Sequence, residues 1–215
     1  MQKQTHKYSE ILDIYKEIKP QIKTRLKKFL QKKQRLDAKE LFTELCFCLC
    51  TPQSKAVNAD KAIRYLTQTK LLFKAQPDDI KVHLKEVRFH NKKARYICEA
   101  RDFLRMGTLL PDILKSKDVK KIRKYLVKLI QGIGYKEASH YLRNIGLGKK
   151  ISILDRHILK NLKKFGVIKE IPKTLTERKY LAIEEKMLKF SQEINVPLQD
   201  LDFVFWYKET RKVFK

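Results

Sequence analysis

Two residues hold most of the chemistry this sequence offers. Lys136 stands two positions after the second glycine of Gly132-Ile133-Gly134, and Asp155 follows 19 residues later, within Ile153-Leu154-Asp155-Arg156-His157. Lys136 falls in the first turn of a helix that resumes after the glycines, where a cation opposes the helix dipole. Burial would lower its pKa further and leave a neutral amine, able to add to an electrophilic carbon and form a Schiff base. Asp155 precedes a helical start, Arg156-His157-Ile158-Leu159, so its ordinary use is as an N-cap that accepts backbone N–H bonds. A carboxylate held in that way stays ionised, as the stabilisation of an oxocarbenium ion requires. The same charge beside Lys136 favours the ammonium and so works against dipole and desolvation.

The elements that position these two groups are helices. Apolar residues recur at three- and four-residue intervals, as in Ile11, Ile14, Tyr15, Ile18 and Ile22, or Ile122, Leu126, Leu129 and Ile130. Sustained period-two alternation between hairpin turns is missing, and only six glycines and six prolines punctuate the chain. The fold class is therefore all-α. The stripe at 122–130 breaks at Gly132-Ile133-Gly134 and resumes with Ala138, Tyr141, Leu142 and Ile145, which makes a tight helical hairpin. Gly132 suits the left-handed residue that ends a helix, and Gly134 allows close backbone approach. The N–H groups that open the next helix then suit an anion such as phosphate, with Ile133 tucked between the helices. An ordinary packing turn would use the same residues.

Composition narrows the partner. Lysine and arginine number 50 against 24 acids, for a formal charge of +26, well beyond what solubility needs. A polyanion partner follows, bound with steep salt dependence. The 43% hydrophobic content is enough for a real core. No apolar run approaches the ~20 residues of a membrane span, and the polar N-terminus lacks the apolar stretch of a signal peptide. Cys46, Cys48, Cys50 and Cys98 match neither zinc nor iron–sulfur spacing. Three of them lie within LFTELCFCLC, which reads as a buried helix holding free thiols in a reducing, cytoplasmic setting. Neither metal nor organic cofactor is expected.

Taken together, LIQGIGYKEASHYL and ILDRHIL resemble the helix–hairpin–helix superfamily of DNA glycosylases. Members with a lysine at the position of Lys136 are bifunctional: the amine displaces the base, and the imine permits β-elimination. Relatives of endonuclease III carry four C-terminal cysteines around an iron–sulfur cluster, and this chain has none from Lys160 onward. The stretches LFTELCFCLCTPQSKA, RFHNKKARYI, GIGYKEASHYLRN, ILDRHILK and DFVFWYKETRKVFK are similar to the small 8-oxoguanine DNA glycosylases of archaea and some bacteria. That resemblance implies base excision repair of double-stranded DNA, by a chain expected to act as a monomer. The Gly- or Pro-rich loop expected before the aspartate is represented only by Gly146-Leu147-Gly148.

The resemblance also distributes roles. Gln53 corresponds to a polar side chain that fills the gap left by a flipped nucleotide, and Gly132 and Gly134 hold the DNA backbone. Trp206, the single tryptophan, is the candidate stacking platform for the extruded base, with Phe89 for its opposite face and Asp202 for its edge. The carboxylate of the last residue, Lys215, accepts from N7, a donor in 8-oxoguanine and an acceptor in guanine. His140 and His157 are read as structural. Two lobes are expected around an active-site cleft: a central one over 36–148, with the hairpin at about 122–147, and a second combining 1–35 with 149–215. The rival readings are a glycosylase for another oxidised base and a hairpin module that binds DNA without catalysis.

Overall fold

The computed structural model describes residues 8–35, 37–105, 111, 114 and 116–213, leaving aside the side chains of 104 and 105. Among them there are helices and no strand. The long helix α1 (Ser9–Arg35) is followed by α2 (Ala38–Cys50), α3 (Ala56–Gln68), α4 (Leu71–Lys74), α5 (Pro77–Lys81) and α6 (His90–Arg105). Next come α7 (Val119–Leu129) and α8 (Tyr135–Leu142), then a wide helical turn (Arg143–Leu147) and one 3-10 turn (Gly148–Lys150). The chain closes with α9 (Arg156–Lys164), α10 (Glu177–Glu193) and α11 (Leu198–Thr210).

Local chemistry explains several helix starts. Asp37, Asp118, Asp155 and Thr176 are N-caps whose side chains accept first-turn N–H groups of α2, α7, α9 and α10. Helix α2 is buried almost all round, with Cys46, Cys48 and Cys50 inside, so it reads as apolar on every face. Burial pushes the Cys50 thiol up to about 12, which keeps it protonated and unreactive.

Buried side chains form two clusters. One runs from Leu41 to Ile151 and uses α2, α3, α6, α7 and α8. The other joins α1 to α9, α10 and α11, from Tyr8 to Phe29 and from Leu154 to Phe205. The wide turn at Arg143–Leu147 lies along α1. Gly146 there has φ +81°, and a Cβ on it would sit 2.9 Å from the Phe29 carbonyl oxygen. Only glycine fits both the left-handed backbone and that approach. Across the same seam, buried Glu44 accepts from Asn144 at 2.8 Å and also contacts the Lys32 ammonium.

Candidate active site

The turn that follows α2, the start of α3, and helices α8, α9 and α11 send residues into one cleft of about 860 Å³. That is ample for a drug-sized or nucleoside-sized group, since such sites span about 300–1,000 Å³. Lys136, Asp155, Gln53, Asp202 and Trp206 all line it. Gly132 and Gly134 do not, and neither does Phe89.

Lys136 projects from the first turn of α8, its side chain 23% exposed. Its ammonium donates to Thr51 Oγ1 at 3.3 Å and stands 3.5 Å from Glu137 Oε1. Glu137 has a second task, accepting the Gly134 N–H at 3.3 Å and so closing the start of α8. The Gly134 N–H is thereby satisfied within the protein. Gly132 has φ +85°, as its helix-ending position suggests, and a Cβ would meet the Tyr96 ring at 2.4 Å. At Gly134 a Cβ would meet only the mobile end of Glu137, so close packing does not demand glycine there. Ile133 is buried between the two helices.

Asp155 caps α9. Its Oδ1 accepts the His157 and Ile158 N–H groups at 2.8 and 2.9 Å, which leaves Oδ2 outside the cap. The segment before it is pinned from behind. Ser152 N–H donates to Glu184 Oε1 at 2.8 Å, and Tyr180 donates its hydroxyl hydrogen to the Ser152 carbonyl at 2.6 Å. Leu154 N–H donates to the Tyr180 oxygen at 3.2 Å, and Ser139 Oγ lies 3.2 Å from the same oxygen. Ser139 is on α8, one turn beyond Lys136, so Tyr180 ties the helix that carries Lys136 to the Asp155 segment. Glu184 in turn forks onto Arg123 of α7 at 2.6 and 2.8 Å, with the guanidinium fully buried between the Tyr135 and Tyr180 rings.

The far wall comes from α11. Trp206 meets the His157 ring edge-on at 5.1 Å, and His157 Nδ1 lies 3.9 Å from Glu209. His140, on the cleft wall, packs its ring edge-on against Phe47 at 5.5 Å. Asp202 is almost wholly buried, and its carboxyl oxygens lack a well-formed hydrogen bond. Burial lifts its pKa well above the usual carboxylate range, against the pull of the Arg143 guanidinium and the Ile153 amide.

Phe89 differs from the expectation of a second stacking wall. It is 49% exposed on the rim with φ 60°, and the Arg88 guanidinium covers its ring at 4.9 Å. The left-handed backbone ends the turn before α6 and sets the ring outside the cavity. Lys215 lies outside the described residues. Thr51, Glu137 and Arg143 carry no functional signal in the sequence, and Lys93, expected among the lysines of the solvated surface, is buried instead. Each is an ordinary polar residue in the sequence, and only the juxtaposition of distant segments gives it a role; Thr51-Pro52 did mark the turn.

An all-helical fold whose glycine hairpin brings an amine to the same cleft as a capping carboxylate defines a class, the helix–hairpin–helix DNA glycosylases. The model of a family described as 8-oxoguanine DNA glycosylase matches residues 22–196. A Fusobacterium nucleatum protein named 8-oxoguanine DNA glycosylase/AP lyase is 42% identical over 99% of this chain and 100% of its own. One of the same name from Methanocaldococcus jannaschii is 41% identical, over 93% of this chain and 94% of that one. Among solved structures, the M. jannaschii 8-oxoguanine glycosylase/lyase in complex with a 15mer DNA containing 8-oxoguanine superposes with a TM-score of 0.87 at 36% identity, covering 96% and 98% of the two chains. The 8-oxoguanine DNA glycosylase of Thermotoga maritima gives 0.88 at 32% identity, covering 96% and 97%. The chain belongs to the 8-oxoguanine DNA glycosylase family.

Proposed function

We propose that this protein excises 8-oxoguanine from double-stranded DNA and cleaves the strand at the resulting site, with Lys136 as nucleophile and Asp155 as its carboxylate partner. The observation that carries the assignment of residues is the shared cleft: Lys136 and Asp155 face one cavity, walled by Trp206 and Asp202, in a protein of this family. Base flipping brings the lesion there, because C1′ is out of reach inside a stacked duplex. Once its ammonium has given up a proton, Lys136 forms a bond to C1′ as the C1′–N9 bond breaks, and one of the two remaining amine protons goes to the leaving base. Asp155 stabilises the positive charge that builds on the sugar. The other amine proton goes to O4′ as the C1′–O4′ bond opens to give the imine, and removal of a C2′ proton then expels the 3′ phosphate.

Trp206 supplies a face for the extruded base. Asp202, held toward its neutral acid by burial, offers the base edge a donor as well as an acceptor. Gln53 fills the space the base leaves, and the Gly132–Gly134 hairpin meets the backbone. The lobes 36–148 and 1–35 with 149–215 frame the cleft, and the chain works as a monomer in the cytoplasm. Among the described residues no helix is long and apolar enough to cross a membrane.

Borohydride trapping on a duplex with one 8-oxoguanine tests the mechanism. A covalent adduct is expected with the native chain, and none with Lys136→Gln or with undamaged duplex. Base release without an adduct would mean water as nucleophile, and binding with neither would mean a non-catalytic module.

A further inference from the structure

Lys93 is a buried cation outside the cleft lining, only 4% exposed, and its ammonium is fully committed. It donates to the Cys50 and Pro52 carbonyl oxygens at 2.8 Å each and to Ser54 Oγ at 3.2 Å. Cys50 is the last residue of α2, so the charge sits where carbonyls of a helix C-terminus favour it. Ser54 Oγ also accepts the Arg88 N–H at 2.9 Å, from the turn that precedes α6. Lys93 closes that turn too, its own N–H donating to the Phe89 carbonyl at 3.0 Å.

Two turns thus meet at one ammonium and one hydroxyl. Each presents a non-glycine residue in the left-handed region, Gln53 at φ 54° and Phe89 at φ 60°. A residue keeps such a conformation only when its surroundings over-determine it. Gln53 lines the cleft, and Phe89 is exposed beside Arg88, which lines it too, so both turns border the cleft. Burial lowers the Lys93 pKa to about 8, and the nearby Lys136 charge acts in the same direction.

We propose that Lys93, through Ser54, is a positioning residue for base extrusion, holding the Gln53 and Phe89 turns as one rigid edge against the duplex. The assignment rests on the function proposed above. It separates extrusion from chemistry: a base in a single strand has no partner to leave, so the edge matters little there.

The test compares native chain, Lys93→Met and Ser54→Ala on the same 8-oxoguanine oligonucleotide, single-stranded and duplex, by single-turnover excision. A 2-aminopurine beside the lesion reports unstacking on binding. Duplex excision should fall about tenfold to 100-fold in Lys93→Met while single-strand excision stays within about twofold. Ser54→Ala, which keeps the buried cation, should fall in the same direction. Equal loss on both substrates, which plain destabilisation would give, overturns the assignment, as does full duplex activity in both variants. The catalytic reading fails on a different signal, when the native chain leaves both substrates intact. The Lys93 assignment stands or falls apart from that on fluorescence. Brightening on binding that is lost in the variants supports it, and brightening that is absent from the native chain or equal in all three sinks it.

Discussion

Replacing Glu184 with Ala should be among the most damaging single changes away from the cleft. The carboxylate forks onto Arg123 at 2.6 and 2.8 Å and accepts the Ser152 N–H at 2.8 Å, with both side chains of the pair almost without exposure. Removing one partner of a buried pair strands the other charge, a loss of about 3–5 kcal/mol. At this chain length that is roughly a 6–20 °C drop in unfolding midpoint. A double change, Arg123→Met with Glu184→Leu, removes the stranded charge and should recover part of the loss. The Ser152 N–H still lacks its acceptor, so a deficit of about 1–3 kcal/mol remains. Urea denaturation of the native chain, the single and the double variants gives these differences directly. A loss under about 1 kcal/mol in Glu184→Ala, or a double variant weaker than the single, would refute the reasoning.

Three further outcomes follow from individual geometries. Asp155→Asn keeps a good N-cap and should lose only about 0.3–1 kcal/mol of stability. Single-turnover excision by it should still slow by roughly 100-fold if Asp155 has the role proposed for it, because the charge assigned to the sugar is then gone. A rate close to native would make Asp155 a cap and nothing more. For Asp202 the folded pKa is raised, chiefly by burial, so its contribution to stability is full below the unfolded carboxylate pKa and is lost as pH rises through the folded one. Asp202→Asn should therefore gain on the native chain as pH rises from 4 to 8, and parallel denaturation curves at the two ends would contradict this. Gly146→Ala places a Cβ 2.9 Å from the Phe29 carbonyl and 3.0 Å from Leu30 Cα, both backbone, at φ +81°. It should cost about 1–3 kcal/mol in strain plus the clash. Gly166→Ala, at φ +75° with open space around it, should cost only about 1–2 kcal/mol. Thermal unfolding of the pair separates strain from crowding.

Much of the fold was legible because its signals are local. Helix periodicity, the Asp155 cap and the left-handed Gly132 depend on residues within a turn or two of each other, and each reads the same in the chain and in space. Lys136 at the start of α8 belongs to this group, since the glycine turn dictates where the helix restarts. The burial of Cys46, Cys48 and Cys50 followed from an apolar run with no polar face.

Tertiary structure alone decided what surrounds those residues. Glu184 lies 61 positions from Arg123 and 32 from Ser152, and nothing in EEK at 184–186 marks its first glutamate as the buried one. Lys93 and Ser54, 39 positions apart, look like any two surface residues of a lysine-rich chain until α2 and α6 pack together. Phe89 was placed by resemblance on the cavity wall, yet a single left-handed φ sets its ring on the rim, and composition gives no notice of a backbone angle. Asp202 is an ordinary carboxylate by type, and burial beside Arg143 makes it an unusual one. A periodicity argument reports which face of a helix is buried, because burial there follows from spacing. It is silent on which partner meets that face, because the partner is brought by chain closure over tens of residues.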